Sequence, residues 1–71
     1  MVNDRVCRAV ADSGMKQKFI AEKIGMSEPV FSAMLAGKRK IDVDEFFRIA
    51  VVLKMRPEVL YNYDGAQQEA N

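Results

Sequence analysis

Apolar residues recur along this chain at intervals of three and four, and no stretch alternates apolar with polar long enough to propose a strand. Val6, Cys7 and Val10 lie one turn apart behind Asn3, a side chain suited to capping a helix, and Ser13-Gly14 closes that segment. In "KQKFIAEKIG" the residues Phe19, Ile20, Ala21 and Ile24 are expected to face a core, with Gly25 as the stop. Ser27 then caps a third helix whose first turn holds Glu28, favourable to the helix dipole, and Pro29, which forfeits no helical hydrogen bond there. Val30, Phe31, Met34 and Leu35 form its apolar face before Gly37. Asp42 with Glu45 reads as a capping box for "VDEFFRIAVVLK", where Phe46, Ile49, Ala50 and Leu53 form the core stripe. Pro57 opens a short fifth helix, "PEVLYNY", in which Val59, Leu60 and Tyr61 are expected to close the core. The pattern predicts an all-α fold of five short helices over residues 1–63, followed by a frayed tail, 64–71, that has no apolar anchor.

Length and composition narrow the class. Seventy-one residues make one domain with a single small core. Cys7, the one cysteine, has no intrachain partner, which excludes a disulfide and suits a reducing cytoplasm. No apolar run reaches membrane-spanning length, and "MVNDRVCRAV" carries charges where a signal peptide needs apolar residues. A cytoplasmic protein with no membrane partner is therefore expected. The formal net charge of +1 hides a division: residues 1–40 hold eight Lys/Arg against four Asp/Glu, residues 41–71 three against six. That division fits one face turned to a polyanion and another turned away, although scatter in a small protein gives the same count.

The most informative stretch is "KIGMSEPVFSAMLAGKRK", residues 23–40. Two helices, near 17–24 and 28–36, are joined by "GMS", a three-residue link that begins with glycine. This is the length and chemistry of a helix-turn-helix, whose second helix can project into a major groove. Lys38, Arg39 and Lys40 follow, a run of cations that attracts phosphate regardless of sequence.

Residues 15–61 resemble the XRE-type helix-turn-helix domain of the lambda-repressor and Cro-like DNA-binding superfamily. The matching residues are Gln17, "IAEKIGMS" at 20–27, Ser32, "GKR" at 37–39, "FFRIAVVL" at 46–53 and "PEVLY" at 57–61, about two-thirds of the chain in the family's order. The resemblance implies a lambda-repressor-like domain with its helix-turn-helix at helices 2 and 3. It implies phosphate contact by Gln17, groove contact by Ser27, Glu28, Pro29, Ser32 and Ala33, and a phosphate-gripping loop at Lys38 and Arg39. Lys40 joins that loop by charge, and Lys16, Lys18 and Lys23 extend the cationic patch. Double-stranded DNA is the implied partner, bound by a homodimer of a Cro-sized, prokaryotic or phage regulator, with a nucleoid location.

Departures from the family pattern qualify the readout. Lys16 stands where the family usually has the Ser or Thr that caps the second helix. The recognition face lacks the Arg, Gln and Asn side chains that pair twice with guanine or adenine. Glu28 can accept from cytosine, Ser32 can donate or accept, and Ala33 can meet a thymine methyl, so readout leans on DNA shape or on a residue such as Arg5. The alternative function is a protein-interaction module on the same fold with weak or no DNA readout; a third is an architectural binder without sequence preference. Phe47 and Val51 flank the core stripe, which fits either a dimer interface with Tyr61 and Tyr63 or burial against the fifth helix. With no histidine, no second cysteine and no phosphate-cradling glycine loop, no catalytic residue, metal ligand or cofactor site is expected, nor a small-molecule ligand. Asp42, Asp44 and Glu45 are better explained as capping than as chemistry.

Overall fold

The computed structural model describes residues 2–65, and among them five helices and no strand: α1 (Val2–Ser13), α2 (Gln17–Lys23), α3 (Glu28–Leu35), α4 (Val43–Leu53) and α5 (Pro57–Tyr61). Residues 66–71 of the expected tail lie outside the described residues. None of the described helices is long and apolar enough to cross a membrane.

Each boundary follows from local chemistry. At the end of α2 the Met26 amide donates to the Ala21 carbonyl at 2.9 Å and the Gly25 amide to Glu22 at 3.2 Å, with Gly25 at φ +76°. That pair of bonds satisfies carbonyls that a helix end leaves without partners, and it requires a left-handed residue. The end of α3 repeats it: Lys38 N–H donates to Ala33 and Gly37 N–H to Met34, at 2.9 and 3.0 Å. α4 opens with the expected capping box, Glu45 N–H to Asp42 Oδ1 at 2.8 Å and Asp42 N–H to Glu45 Oε1 at 3.0 Å. Such a cap contributes about 1 kcal/mol.

The core gathers α1 (Val6, Ala9, Val10), α2 (Ile20, Ala21), Ile24, α3 (Phe31, Met34, Leu35), α4 (Ile49, Ala50, Leu53), Leu60 and Tyr63. α2 packs on α3 and α4, while α1 packs on α3 and α5. Phe31 and Met34 are fully enclosed, so α3 is fastened to the globule by its apolar side. Truncating Phe31 to alanine would cost about 3–5 kcal/mol and release the helix.

Four expectations are corrected. Asn3 is not a cap: α1 begins before it, and its side chain is buried between elements. Phe19 and Val30, expected in the core, are 46% and 41% exposed, because helices of seven and eight residues bury only a narrow strip. Tyr61, expected to close the core, is exposed. Its place is taken by Tyr63, beyond the helix, which is fully buried and donates its hydroxyl to Asp12 at 2.7 Å. Cys7 and Phe46 are half-buried against the core.

Candidate nucleic-acid interface

At about 100° per residue, Glu28, Ser32, Pro29 and Ala33 fall on one arc of α3, with Phe31 and Met34 on the far side and Leu35 at the border beside Glu28. Glu28, Pro29 and Ser32 are exposed and Ala33 is half-buried. Ala36 is exposed at the end of the same arc. Ser27 precedes the arc in extended conformation, its Oγ accepting from the Val30 amide at 3.4 Å. Of the first-turn amides of α3, Val30's is taken by Ser27 Oγ and Phe31's by the Ser27 carbonyl, and Pro29 has no N–H, which leaves that of Glu28 to meet a phosphate oxygen.

Lys16 occupies the cap position of α2 without a side-chain hydrogen bond, as its chemistry predicts, and is exposed; Gln17, the first residue of the helix, is half-buried. Lys23 lies over the exposed ring of Phe19, 5.4 Å from its centroid. Arg5 is directed elsewhere: its guanidinium donates to the Tyr63 carbonyl at 3.4 Å, beside the end of α5.

The basic run is not uniform. Lys38 and Lys40 are exposed. Arg39 forks onto Glu45, Nη1 to Oε1 at 3.2 Å and Nη2 to Oε2 at 3.0 Å. It also donates to the Lys40 carbonyl at 3.2 Å and lies 3.0 Å from Met34 Sδ. The fork holds the Glu45 carboxyl below the usual carboxylate range, the Arg39 hydrogen bond contributing most and the Asp42 amide next. The guanidinium is correspondingly held even more firmly protonated.

Of the four residues assigned to a dimer interface, three are surface residues: Phe47 is 48%, Val51 75% and Tyr61 59% exposed. Tyr63 is not available to a seam, because it is buried inside one chain. Phe46 stacks edge-on against both Phe47 and Tyr61, at 6.0 and 6.2 Å between centroids, and with Val2, Ile41 and Val43 these rings line an apolar cleft of about 340 Å³. Among the described residues no group of three or more His, Cys, Asp or Glu side chains could hold a metal ion.

A family model described as Helix-turn-helix matches residues 8–60, which takes in α2, the Gly25 turn, α3, the basic loop and α4. Comparisons with curated proteins and with solved structures returned no match.

Proposed function

Since the chain belongs to the XRE-type, lambda-repressor and Cro-like helix-turn-helix family of DNA-binding domains, we propose that it is a sequence-specific transcriptional regulator acting as a homodimer. The observation that carries this reading is the exposed arc of α3, from Ser27 to Ala36, set between its apolar anchor and the exposed Lys38 and Lys40. In this reading α3 enters the major groove, Glu28, Pro29, Ser32 and Ala33 meet base edges, and Lys16, Gln17, Ser27, Lys38 and Lys40 meet phosphates. Two copies place their recognition helices in successive grooves, about 34 Å apart on a palindromic site. The protein works by occupancy, without catalysis or cofactor, in the cytoplasm of a bacterial or phage-infected cell.

The short, weakly pairing side chains of the arc support modest direct readout, with part of the specificity coming from DNA shape. Selection from a random duplex pool tests the proposal. Enrichment of a palindrome whose half-sites are one helical turn apart is expected; an unenriched pool with salt-sensitive binding would leave only an architectural role. The apolar cleft between α4 and α5 favours a second reading, a protein-interaction module. Absence of any gel shift at low salt would turn the assignment to that reading.

A further inference from the structure

Asn3 is the buried polar residue of the described core, 4% exposed, and its side chain spans two elements distant in sequence. From the first turn of α1 its amide donates to the Met34 carbonyl at 2.8 Å and to the Arg39 carbonyl at 2.9 Å. The first of these carbonyls belongs to the last turn of α3, the second to the basic loop. Asn3 therefore ties the end of the recognition helix to the loop that follows it. From the other side Glu45, at the start of α4, grips the Arg39 guanidinium. Arg39, exposed like Lys38 and Lys40 on either side, is held by its backbone from α1 and by its side chain from α4.

We propose that Asn3 is a positioning residue for DNA binding: it fixes Lys38 and Lys40 relative to the exposed arc of α3, with Arg39 as a strut rather than a phosphate ligand. The inference rests on the DNA-binding reading above. The physical reason is pre-organisation. A loop that must be ordered on binding subtracts its conformational entropy from the affinity, whereas a loop whose backbone is already tied down does not. Asparagine suits the task because one neutral amide supplies two donors, one to the Met34 carbonyl that Gly37 N–H also reaches and one to the Arg39 carbonyl.

The test compares wild type with Asn3→Ala and with Asn3→Ser, which keeps one donor. Amide hydrogen exchange at Gly37–Lys40 is measured in the free protein, and affinity for a mixed-sequence duplex of two helical turns is measured against salt. For Asn3→Ala, loop exchange is expected to rise roughly five- to tenfold. Affinity should fall roughly three- to tenfold and the salt slope should become shallower by about one. Asn3→Ser should fall between the two. A folded variant with wild-type loop exchange and wild-type slope overturns the proposal, and so does weaker binding with both unchanged, which marks a residue that merely supports the fold. If Asn3→Ala does not fold, the wild type decides: the Asn3 side-chain amide protons must exchange slowly, and exchange as fast as an open asparagine overturns the clamp. A wild type that binds no duplex overturns the DNA reading itself, while the exchange comparison still reports on the clamp.

Discussion

Arg39 and Glu45 face each other through two parallel N–O contacts of 3.2 and 3.0 Å, and Glu45 Oε1 also accepts the Asp42 amide. One carboxylate therefore caps α4 and fastens the basic loop at once. Both tasks need it ionised. Its folded pKa is lowered from the ordinary 4.5, by Arg39 first and the Asp42 amide second, so its contribution to stability is complete above about pH 4.5 and fades as pH falls below that. Glu45→Gln is expected to melt below wild type at neutral pH, with the gap closing as the buffer is acidified past 4.5. Thermal melts across pH check this; a gap that stays constant would show that the charge is irrelevant.

Tyr63 predicts dependence at the opposite end of the scale. Burial first, and its hydrogen bond to Asp12 second, push its phenol up to about 12 from the usual 10. The folded chain thus holds this proton more tightly than the unfolded one. The associated stability is full below pH 10 and is lost as pH rises from 10 towards 12. Ultraviolet titration should show a tyrosinate step near 12 that disappears in Tyr63→Phe. Losing the hydroxyl should also cost about 1 kcal/mol at pH 7.

How much of this was legible in the sequence depended on whether a residue's role was local. Gly25, Gly37, Ser27 and the Asp42–Glu45 pair announce themselves because capping and left-handed turns are settled within five residues. The stripe Ile49, Ala50 and Leu53 is equally plain, lying on one face of an amphipathic helix at spacings of one and three. Phe19 and Val30 misled because helices this short have too few positions for periodicity to separate centre from flank. The role of Asn3, the fork from Arg39 to Glu45 and the role of Tyr63 were hidden for a different reason. Their partners lie 31, 6 and 51 positions away, and nothing in a linear pattern says that an asparagine will find the end of α3 rather than its own helix. The exposed arc of α3 could be read in advance; the contacts that hold the loop beside it could not.

Lys54 is the one described non-glycine residue with positive φ, at +58°, where it terminates α4 through bonds to Val51 and Ala50. A side chain in that conformation costs about 1–2 kcal/mol, and glycine's extra freedom in the unfolded chain offsets about 0.5–1 of the relief. Lys54→Gly should therefore raise stability by about 0.5–1 kcal/mol in urea unfolding. A loss of stability would mean that the lysine side chain makes a contribution larger than its backbone strain.

The unequal environments of the three cations predict unequal phenotypes. Lys38→Ala with Lys40→Ala should leave the melting temperature near wild type, since both side chains are exposed. The same variant should weaken binding to every duplex alike and make the salt slope shallower by about two. Arg39→Ala should do the reverse in emphasis, lowering the melting temperature through loss of the Glu45 fork. If Arg39→Ala instead reduces the slope at unchanged stability, Arg39 is a phosphate ligand after all.

The proposed homodimer makes the last prediction. Val43, Phe47 and Val51 are spaced by four along α4, and all three are exposed, so the helix carries a second apolar stripe beside its core face. Tyr61 continues that surface onto α5. This apolar patch, with Asp42 at its edge, can meet its own copy across a two-fold axis, the arrangement of an isologous seam. Its modest extent, four partly exposed side chains, is that of a small interface rather than of an obligate dimer. Phe47→Asp should therefore lower the association constant in sedimentation equilibrium while leaving the melting temperature nearly unchanged, because almost half of the side chain is already in solvent. Binding to a palindromic duplex should weaken, since the second half-site no longer gains from a linked copy. Binding to an isolated half-site should stay as it was. Equal losses on both duplexes would place Phe47 in the DNA contact rather than between protomers. No loss on either would leave α4 without a role in assembly.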